Sequence, residues 1–133
     1  MILISLLAAA APVSADTAVG RWKTETHDAI IEIQRCGPSI CGRILTSDAL
    51  RTDPAMRDSK NPDAALRNRP IRGMQILSGF TADGNGWSGG KLYKADEGKT
   101  YSGKLTVTGP NEIKVRGCIF VPLCKTQTWT RVR

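Results

Sequence analysis

Eight short segments with the pattern of β-strands follow one another along this chain, and turn-forming residues separate most of them. In these segments apolar and polar residues alternate, or β-branched and aromatic residues are enriched, as in half-buried strands. The predicted strands span 18–24, 29–35, 41–47, 73–81, 87–94, 100–108, 112–118 and 124–132. Antiparallel strands joined by short turns close into a barrel, which leaves no exposed edge. The sequence therefore predicts an all-β fold, an eight-stranded antiparallel up-and-down β-barrel.

One interval, residues 48–72, is far longer than a turn and rich in charges of both signs. Structureless loops beyond about 12–15 residues are uncommon in compact domains and are often functional. Within this long loop, Asn61 is followed by Pro62 and Asp63, the order of a capping residue and a proline at the first helical position. We therefore expect one or two helical turns over 61–67, so the predicted barrel has one long polar loop that carries a short helix.

The beginning of the chain has the pattern of an export signal. Residues 2–13 form an apolar run that is shorter than the about 20 residues a membrane span needs, and Val13-Ser14-Ala15 offers small residues for cleavage. No Lys or Arg precedes the run, and a buried N-terminal helix is the alternative. We predict a signal peptide over 1–15, a single barrel domain over 16–133 and a periplasmic or secreted protein without a transmembrane segment.

The formal net charge of +7 favours an anionic partner, such as lipid headgroups, a polysaccharide or an acidic small molecule. A charged surface that only keeps the protein soluble is the alternative. Nucleic acid is disfavoured, because an exported domain rarely meets it and no stripe of basic and aromatic residues is present.

The four cysteines form two close pairs, each of which brackets a predicted hairpin turn. Zinc is the competing use, but zinc ligand pairs usually lie closer together in sequence, and export favours disulfides. Cysteines that flank a short hairpin loop face each other across the two strands at bridgeable distance. We predict the disulfides Cys36–Cys41 and Cys118–Cys124.

No motif supports catalysis. The run Gly86–Gly90 matches G-x-S-x-G, but that nucleophile elbow needs a helix after the turn, and here the residues that follow continue as a strand. The single histidine, His27, precedes Ser88 in the chain and lies in a predicted turn. Residues 58–63 hold too few oxygen ligands for a calcium loop. We therefore predict no enzymatic activity, no metal site and no cofactor.

Arginines at the end of the long loop are the first candidates for recognising a ligand, because the guanidinium group binds carboxylates and phosphates with two parallel hydrogen bonds. The alternative is that they pair with aspartates of the loop and only anchor it. Aromatic residues of the fifth and sixth strands are candidates for the apolar wall of a site. The predicted ligand-binding residues are Arg67, Arg69, Trp87, Tyr93 and Tyr101.

Trp22 and Arg131 are predicted to have a structural role. They lie in the first and last strands, which are neighbours in a closed barrel. A guanidinium over an indole ring contributes roughly 0.5–2 kcal/mol and would seal one end of the barrel.

Several short motifs resemble a bacterial family of exported proteins known as domain of unknown function 2147. They are Gly20–Thr24, Cys41–Ile44, Asn61–Asp63, Leu66–Pro70, Gly73, Gly86–Tyr93, Gly98–Tyr101, Arg116–Cys118 and Gln127–Arg131. The resemblance implies an exported lipocalin-like barrel, since Trp22 and Arg131 are similar to the G-x-W motif and terminal arginine of lipocalins. It implies no activity. One departure is that Lys94-Ala95-Asp96 follows Tyr93, where the family often has an Asp-Pro turn.

Two functions are compatible with such a barrel. The first is a periplasmic or secreted lipocalin-like binding protein for a small apolar or amphipathic ligand, including an anionic one, since an eight-stranded barrel can hold one small ligand. The alternative is an envelope-associated protein-interaction module whose barrel is filled by its own side chains. Interior volume distinguishes them, because a cavity of a few hundred Å³ would support the first.

Overall fold

The computed structural model describes residues 13–133, so all of the predicted signal peptide except its last three residues lies outside the described part. The strands are β1 Gly20–Lys23, β2 Ile30–Cys36, β3 Ser39–Thr46, β4 Gln75–Ser78, β5 Thr81–Asp83, β6 Gly86–Lys94, β7 Lys99–Gly109, β8 Glu112–Phe120 and β9 Leu123–Val132. The helical elements are α1 Asp48–Thr52 and two 3₁₀ turns, Ala15–Ala18 and Ala64–Leu66. No helix within 13–133 is both long and apolar enough to span a bilayer.

The strands form one antiparallel sheet in the order β4-β3-β2-β1-β9-β8-β7-β6-β5, and pairing of β4 with β6 closes it into a barrel. Both β4 and β5 pair with β6, with Leu77 opposite Leu92 and Ala82 opposite Trp87. They are two parts of one interrupted strand, which breaks beside Gly79, where φ is 73°. The predicted eight-stranded barrel is confirmed, with its fourth strand split in two.

One end of the barrel is closed by its own side chains. The fully buried residues there include Trp22, Ile33, Ile40, Trp87, Leu105, Val107 and Ile113. The 3₁₀ turn Ala15–Ala18 supplies acceptors for both indoles: Trp22 Nε1 donates to the Ala18 carbonyl at 2.8 Å and Trp87 Nε1 to the Ala15 carbonyl at 2.9 Å. Because a buried indole N–H needs an acceptor, this turn both covers the closed end and satisfies its polar groups. Ala15 is the last residue of the predicted signal peptide, so cleavage after it would remove the Trp87 acceptor and leave the Trp22 acceptor in place.

Arg131 lies over Trp22 at the closed end, in the contact that the sequence predicts. Its guanidinium carbon is 4.4 Å from the ring centroid, and the two residues are opposite each other where β1 pairs with β9. The same guanidinium donates hydrogen bonds to three carbonyls, those of Thr17, Val19 and Pro110. At Gly20, where φ is 139°, a Cβ would collide with the Arg131 side chain. The first position of the Gly20-Arg21-Trp22 motif is therefore a glycine because the Arg131 side chain occupies the space that a Cβ would need.

The long loop, residues 47–74 in the structure, is folded against the barrel. It begins with α1, whose N-cap residue Ser47 accepts a hydrogen bond from the Leu50 backbone nitrogen at 3.1 Å. This helix was not predicted from the sequence. Leu50 joins Ile71 and Met74 in a second small core beneath the loop. This apolar contact attaches the loop to the barrel.

The helical turns predicted over 61–67 are reduced to one 3₁₀ turn, Ala64–Leu66. Its cap is Asp63, which accepts a hydrogen bond from the Ala65 nitrogen at 3.0 Å, and not Asn61. The Asn61 side chain instead donates to the carboxylate of Asp58. Because the Asn61 side chain binds Asp58, Asn61 does not cap a helix, and the helical turn begins after Asp63 instead.

Both predicted cysteine pairs are at disulfide distance. Cys36 and Cys41 bracket the β2–β3 turn with a Cα–Cα distance of 5.7 Å, and Cys118 and Cys124 bracket the β8–β9 turn at 4.0 Å. The two pairs thus lie at hairpins on opposite ends of the barrel.

Candidate ligand-binding cavity

The half of the barrel opposite the closed end contains a cavity of about 950 Å³. It opens to solvent where the β1–β2, β6–β7 and β8–β9 turns meet the long loop. Its wall is mainly apolar and includes Ile31, Ile44, Leu92, Val115 and Trp129. Pockets for small molecules measure roughly 300–1,000 Å³ and have such walls. The cavity therefore has the size and polarity expected of a ligand site.

A short chain of hydrogen bonds lines one side of the cavity. Trp129 Nε1 donates to Gln127 Oε1 at 3.1 Å, and Gln127 Nε2 donates to Thr26 Oγ1 at 3.2 Å. The indole N–H is thereby satisfied by the protein, and the ring remains as an apolar surface. These residues were not predicted from the sequence, although Gln127 and Trp129 are two apart on one strand and so share its inner face.

Charged side chains surround the mouth of the cavity. Lys94 and Glu97 neutralise each other in a pair at 3.0 Å, and His27 Nε2 lies 3.8 Å from the Asp96 carboxylate. Three lining cations form no ion pair with a carboxylate in the described part of the chain: Arg57, Lys60 and Lys125. The four lining cations, Arg57, Lys60, Lys94 and Lys125, exceed the three lining carboxylates, Asp48, Asp96 and Glu97, by one, so the mouth carries a small net positive charge.

Tyr101 is the one predicted ligand-binding residue that lines this cavity. Its hydroxyl donates a hydrogen bond to Glu97. This bond, together with one from Lys94, holds the pKa of Glu97 below its ordinary value. The same bond raises the pKa of Tyr101, since ionised phenol beside a carboxylate is disfavoured. The rim of the cavity at the β6–β7 turn is thus organised by its own polar groups.

The other predicted ligand-binding residues lie outside the cavity wall. Trp87 is in the core of the closed end. Arg67 donates from Nε to the Asn61 carbonyl at 2.7 Å. Arg69 donates from Nε to Asp58 at 2.9 Å, and its guanidinium lies 5.6 Å from the ring centroid of Tyr93. Both arginines thus form hydrogen bonds within the long loop, and neither lines the cavity.

Asp58 is the centre of a buried polar network that joins the long loop to β6. Its side chain is 0% exposed, and it accepts hydrogen bonds from Tyr93 Oη at 2.6 Å, Asn61 Nδ2 at 2.9 Å and Arg69 Nε at 2.9 Å. Burial alone would raise the pKa of Asp58, but these three donors outweigh it and leave the pKa below its ordinary value. Burial and the bond to the carboxylate raise the pKa of Tyr93 to about 12. Because Asp58 is fixed, its neighbours Arg57 and Lys60 are held at the mouth.

Residues 20–131 match the family described as "Uncharacterized protein conserved in bacteria (DUF2147)". The chain belongs to this family. Comparison with curated protein sequences finds no relative.

A solved structure has a similar fold. The chain is similar to HP1028 from the human pathogen Helicobacter pylori, whose structure is described as belonging to the lipocalin family. The two are 23% identical with a TM-score of 0.78, and the likeness covers 86% of this chain and 82% of the other. The barrel of this DUF2147 protein is therefore lipocalin-like.

Proposed function

We propose that this DUF2147 protein is an extracytoplasmic binding protein, periplasmic or secreted, that holds one small amphipathic and anionic ligand in its barrel. The observation that carries the proposal is the open cavity of about 950 Å³ with its apolar wall. A barrel filled by its own side chains, as the interaction-module alternative requires, would have no such space. The lipocalin-like fold supports the same function, since eight-stranded barrels of this kind are able to hold one small ligand.

Two features support the location outside the cytoplasm. The four cysteines lie in two pairs at disulfide distance, and disulfides persist in oxidising compartments. The chain begins with the apolar run and small residues of an export signal. A ligand held there would be an extracellular or envelope molecule.

We assign the anionic end of the ligand to two cations at the mouth of the cavity, Lys60 and Lys125. They replace Arg67 and Arg69, the residues predicted for this role from the sequence. Lys60 comes from the long loop and Lys125 from β9, so the two approach the mouth from different elements. Lys60 Nζ already donates to the Asp96 carbonyl at 2.7 Å, which positions its charge without neutralising it. A carboxylate or phosphate at the mouth would accept charge-assisted hydrogen bonds there, while the apolar part of the ligand occupies the cavity.

Displacement of a fluorescent fatty-acid analogue tests the cavity. Ile44 lines the cavity, whereas Leu45, the next residue of β3, does not. We expect Ile44→Trp to weaken binding by about tenfold or more, because the indole occupies ligand space, and Leu45→Trp to leave affinity nearly unchanged. If the unaltered protein binds no amphiphile, the proposal fails and the interaction-module alternative replaces it.

A second pair of variants tests the anionic end. In Lys60→Gln/Lys125→Gln we expect affinity for a fatty acid to fall by about three- to tenfold, and affinity for a neutral monoacylglycerol to stay the same. The matched control is Arg72→Gln/Lys91→Gln, which removes the same charge from exposed residues that do not line the cavity. Equal losses in the two double variants, or equal losses for both ligands, would contradict head-group recognition.

A further inference from the structure

The tip of the β8–β9 hairpin exposes an unusual amount of apolar surface. Ile119, Phe120, Val121 and Leu123 are 60%, 61%, 75% and 55% exposed, and Pro122 lies between them. The other large hydrophobic residues exposed within 13–133 are Val19 and Leu66, which are single and less exposed. Isolated apolar residues on a surface are ordinary, but a contiguous group marks a site of interaction.

The strands that carry the tip and their neighbour, β7–β9, also hold most of the excess positive charge, although Arg131 lies at the closed end. Residues 98–133 contain seven lysines and arginines and one carboxylate, Glu112, so this segment carries +6 of the net +7. On the outer face, Lys104 of β7 is directly opposite Arg116 of β8, and both are exposed. Like charges in opposite positions destabilise a sheet. An anionic surface beside these strands would remove that cost.

The charges and the apolar tip have the arrangement of an interfacial anchor. Lys125 is two residues from Leu123 along β9, which corresponds to about 7 Å at the rise of a strand. Arg116 donates from its guanidinium to the sulfur of Cys124 at 3.2 Å, so it lies against the base of the tip. Apolar side chains with cations just behind them suit the boundary between acyl chains and anionic headgroups.

The tip is held at the mouth of the cavity. The Cys118–Cys124 pair closes the hairpin directly beneath it. Ile119, Pro122 and Leu123 also line the cavity, so the exposed apolar surface continues into the cavity wall. A partner surface bound to the tip would therefore face the opening of the barrel.

We propose that residues 119–123 insert into the surface of a membrane rich in anionic phospholipid, with the cavity mouth turned towards the bilayer. An amphiphile could then pass between bilayer and cavity along a continuous apolar surface. The docking itself needs only the tip and the cations of β7–β9, so it stands independently of what the cavity binds.

Flotation with lipid vesicles tests the proposal. We expect the protein to float with vesicles of phosphatidylglycerol mixed with phosphatidylcholine, to remain behind with phosphatidylcholine alone, and to be released by high salt, which screens the charges. Phe120→Ser/Val121→Ser should reduce flotation by about tenfold or more without lowering the melting temperature. The matched control Val19→Ser/Leu66→Ser, which removes exposed apolar residues outside the tip, should float normally. Lys104→Gln/Arg116→Gln should lose flotation, and Arg72→Gln/Lys91→Gln should not.

Other results would contradict the membrane-docking proposal. Absence of flotation with anionic vesicles overturns the proposal, as does equal loss in the tip variant and its apolar control. If size-exclusion chromatography shows a dimer that the tip variant converts to a monomer, and neither form floats, the tip is an interface between copies and not a membrane anchor. Ile44→Trp separates this proposal from the ligand proposal, since it should lose amphiphile binding and still float.

Discussion

Tyr93 of β6 donates a hydrogen bond of 2.6 Å to Asp58, a carboxylate of the long loop that is completely buried. The two residues are far apart in sequence, and their contact joins the loop to the barrel wall. A buried carboxylate is stable only when donors replace its lost water, and here Tyr93, Asn61 and Arg69 do so. The positions of Arg57 and Lys60, which lie near Asp58 in the sequence and line the mouth of the cavity, depend on the Tyr93–Asp58 hydrogen bond.

Removal of the phenolic hydroxyl should therefore destabilise the protein. We expect Tyr93→Phe to lower the free energy of unfolding by about 1–3 kcal/mol, because the buried carboxylate loses one of its donors. Tyr101→Phe is the matched control, since its hydroxyl serves the more exposed Glu97 at the rim. Urea denaturation followed by tryptophan fluorescence measures both variants, and an equal loss in the two would argue against a special role for Asp58.

The Tyr93–Asp58 hydrogen bond should make the stability of the protein depend on pH in the alkaline range. The pKa of Tyr93 is raised to about 12 in the folded protein, above the ordinary value of 10.0. The folded state thus holds the phenolic proton more tightly, so this stabilisation is complete below pH 10 and is lost as pH rises through the folded pKa. Absorbance at 295 nm, compared between the unaltered protein and Tyr93→Phe, should show one tyrosine that ionises near pH 12. Its ionisation near pH 10 would contradict the buried bond.

Arg69 should behave as an anchor of the loop. We expect Arg69→Gln to lower the melting temperature without ligand, because Asp58 loses its ion-pair partner, while affinity for an anionic amphiphile changes by less than about threefold. Arg67→Gln should have a smaller effect on melting, since it loses hydrogen bonds to carbonyls only. Calorimetry and the displacement assay report the two properties separately. A loss of affinity without a change in melting would return these arginines to the ligand site.

Arg131 should contribute far more to stability than the arginine at the chain terminus. Arg131→Ala removes the stack on Trp22 and three hydrogen bonds to carbonyls, so we expect a loss of about 2 kcal/mol or more. Arg133→Ala, which removes an exposed terminal charge, should have little effect. Chemical denaturation compares them, and similar midpoints would rule out the proposed seal of the closed end.

Peptide mapping should find the cysteine pairs as local disulfides. Without reduction, trypsin should release Cys36–Arg43 and Gly117–Lys125 as separate peptides, each lighter by the two hydrogens lost on oxidation. Peptides that join the two regions would disagree with the Cα–Cα distances of 5.7 and 4.0 Å.

The features predicted correctly from the sequence are those that local chemistry determines. Alternation and turn residues place the strands, because side chains along a strand point to opposite faces with a period of two. The cysteine pairs follow from the same reasoning, since a short hairpin brings its flanking residues together. The Trp22–Arg131 contact needs one further step, the closure of the barrel, which brings the first and last strands side by side.

The candidate site was harder to predict, because the long loop holds charges of both signs and many pairings are locally equivalent. Arg67 and Arg69 were as good candidates for the mouth as Arg57 and Lys60, which are only a few residues away. Asp58 distinguishes these cations. It is buried against Tyr93 and binds Arg69, which is thereby held within the loop, whereas Arg57 and Lys60 line the opening of the cavity.

The sequence by itself determined that this chain forms a closed antiparallel barrel with two local cysteine pairs, because strand periodicity and turn chemistry act over a few residues. The tertiary structure alone decided which half of the barrel is filled and which is hollow. That division depends on long-range packing: the 3₁₀ turn Ala15–Ala18 and the indoles of Trp22 and Trp87 fill one end. At the other end the loop packs against the barrel and leaves the interior open.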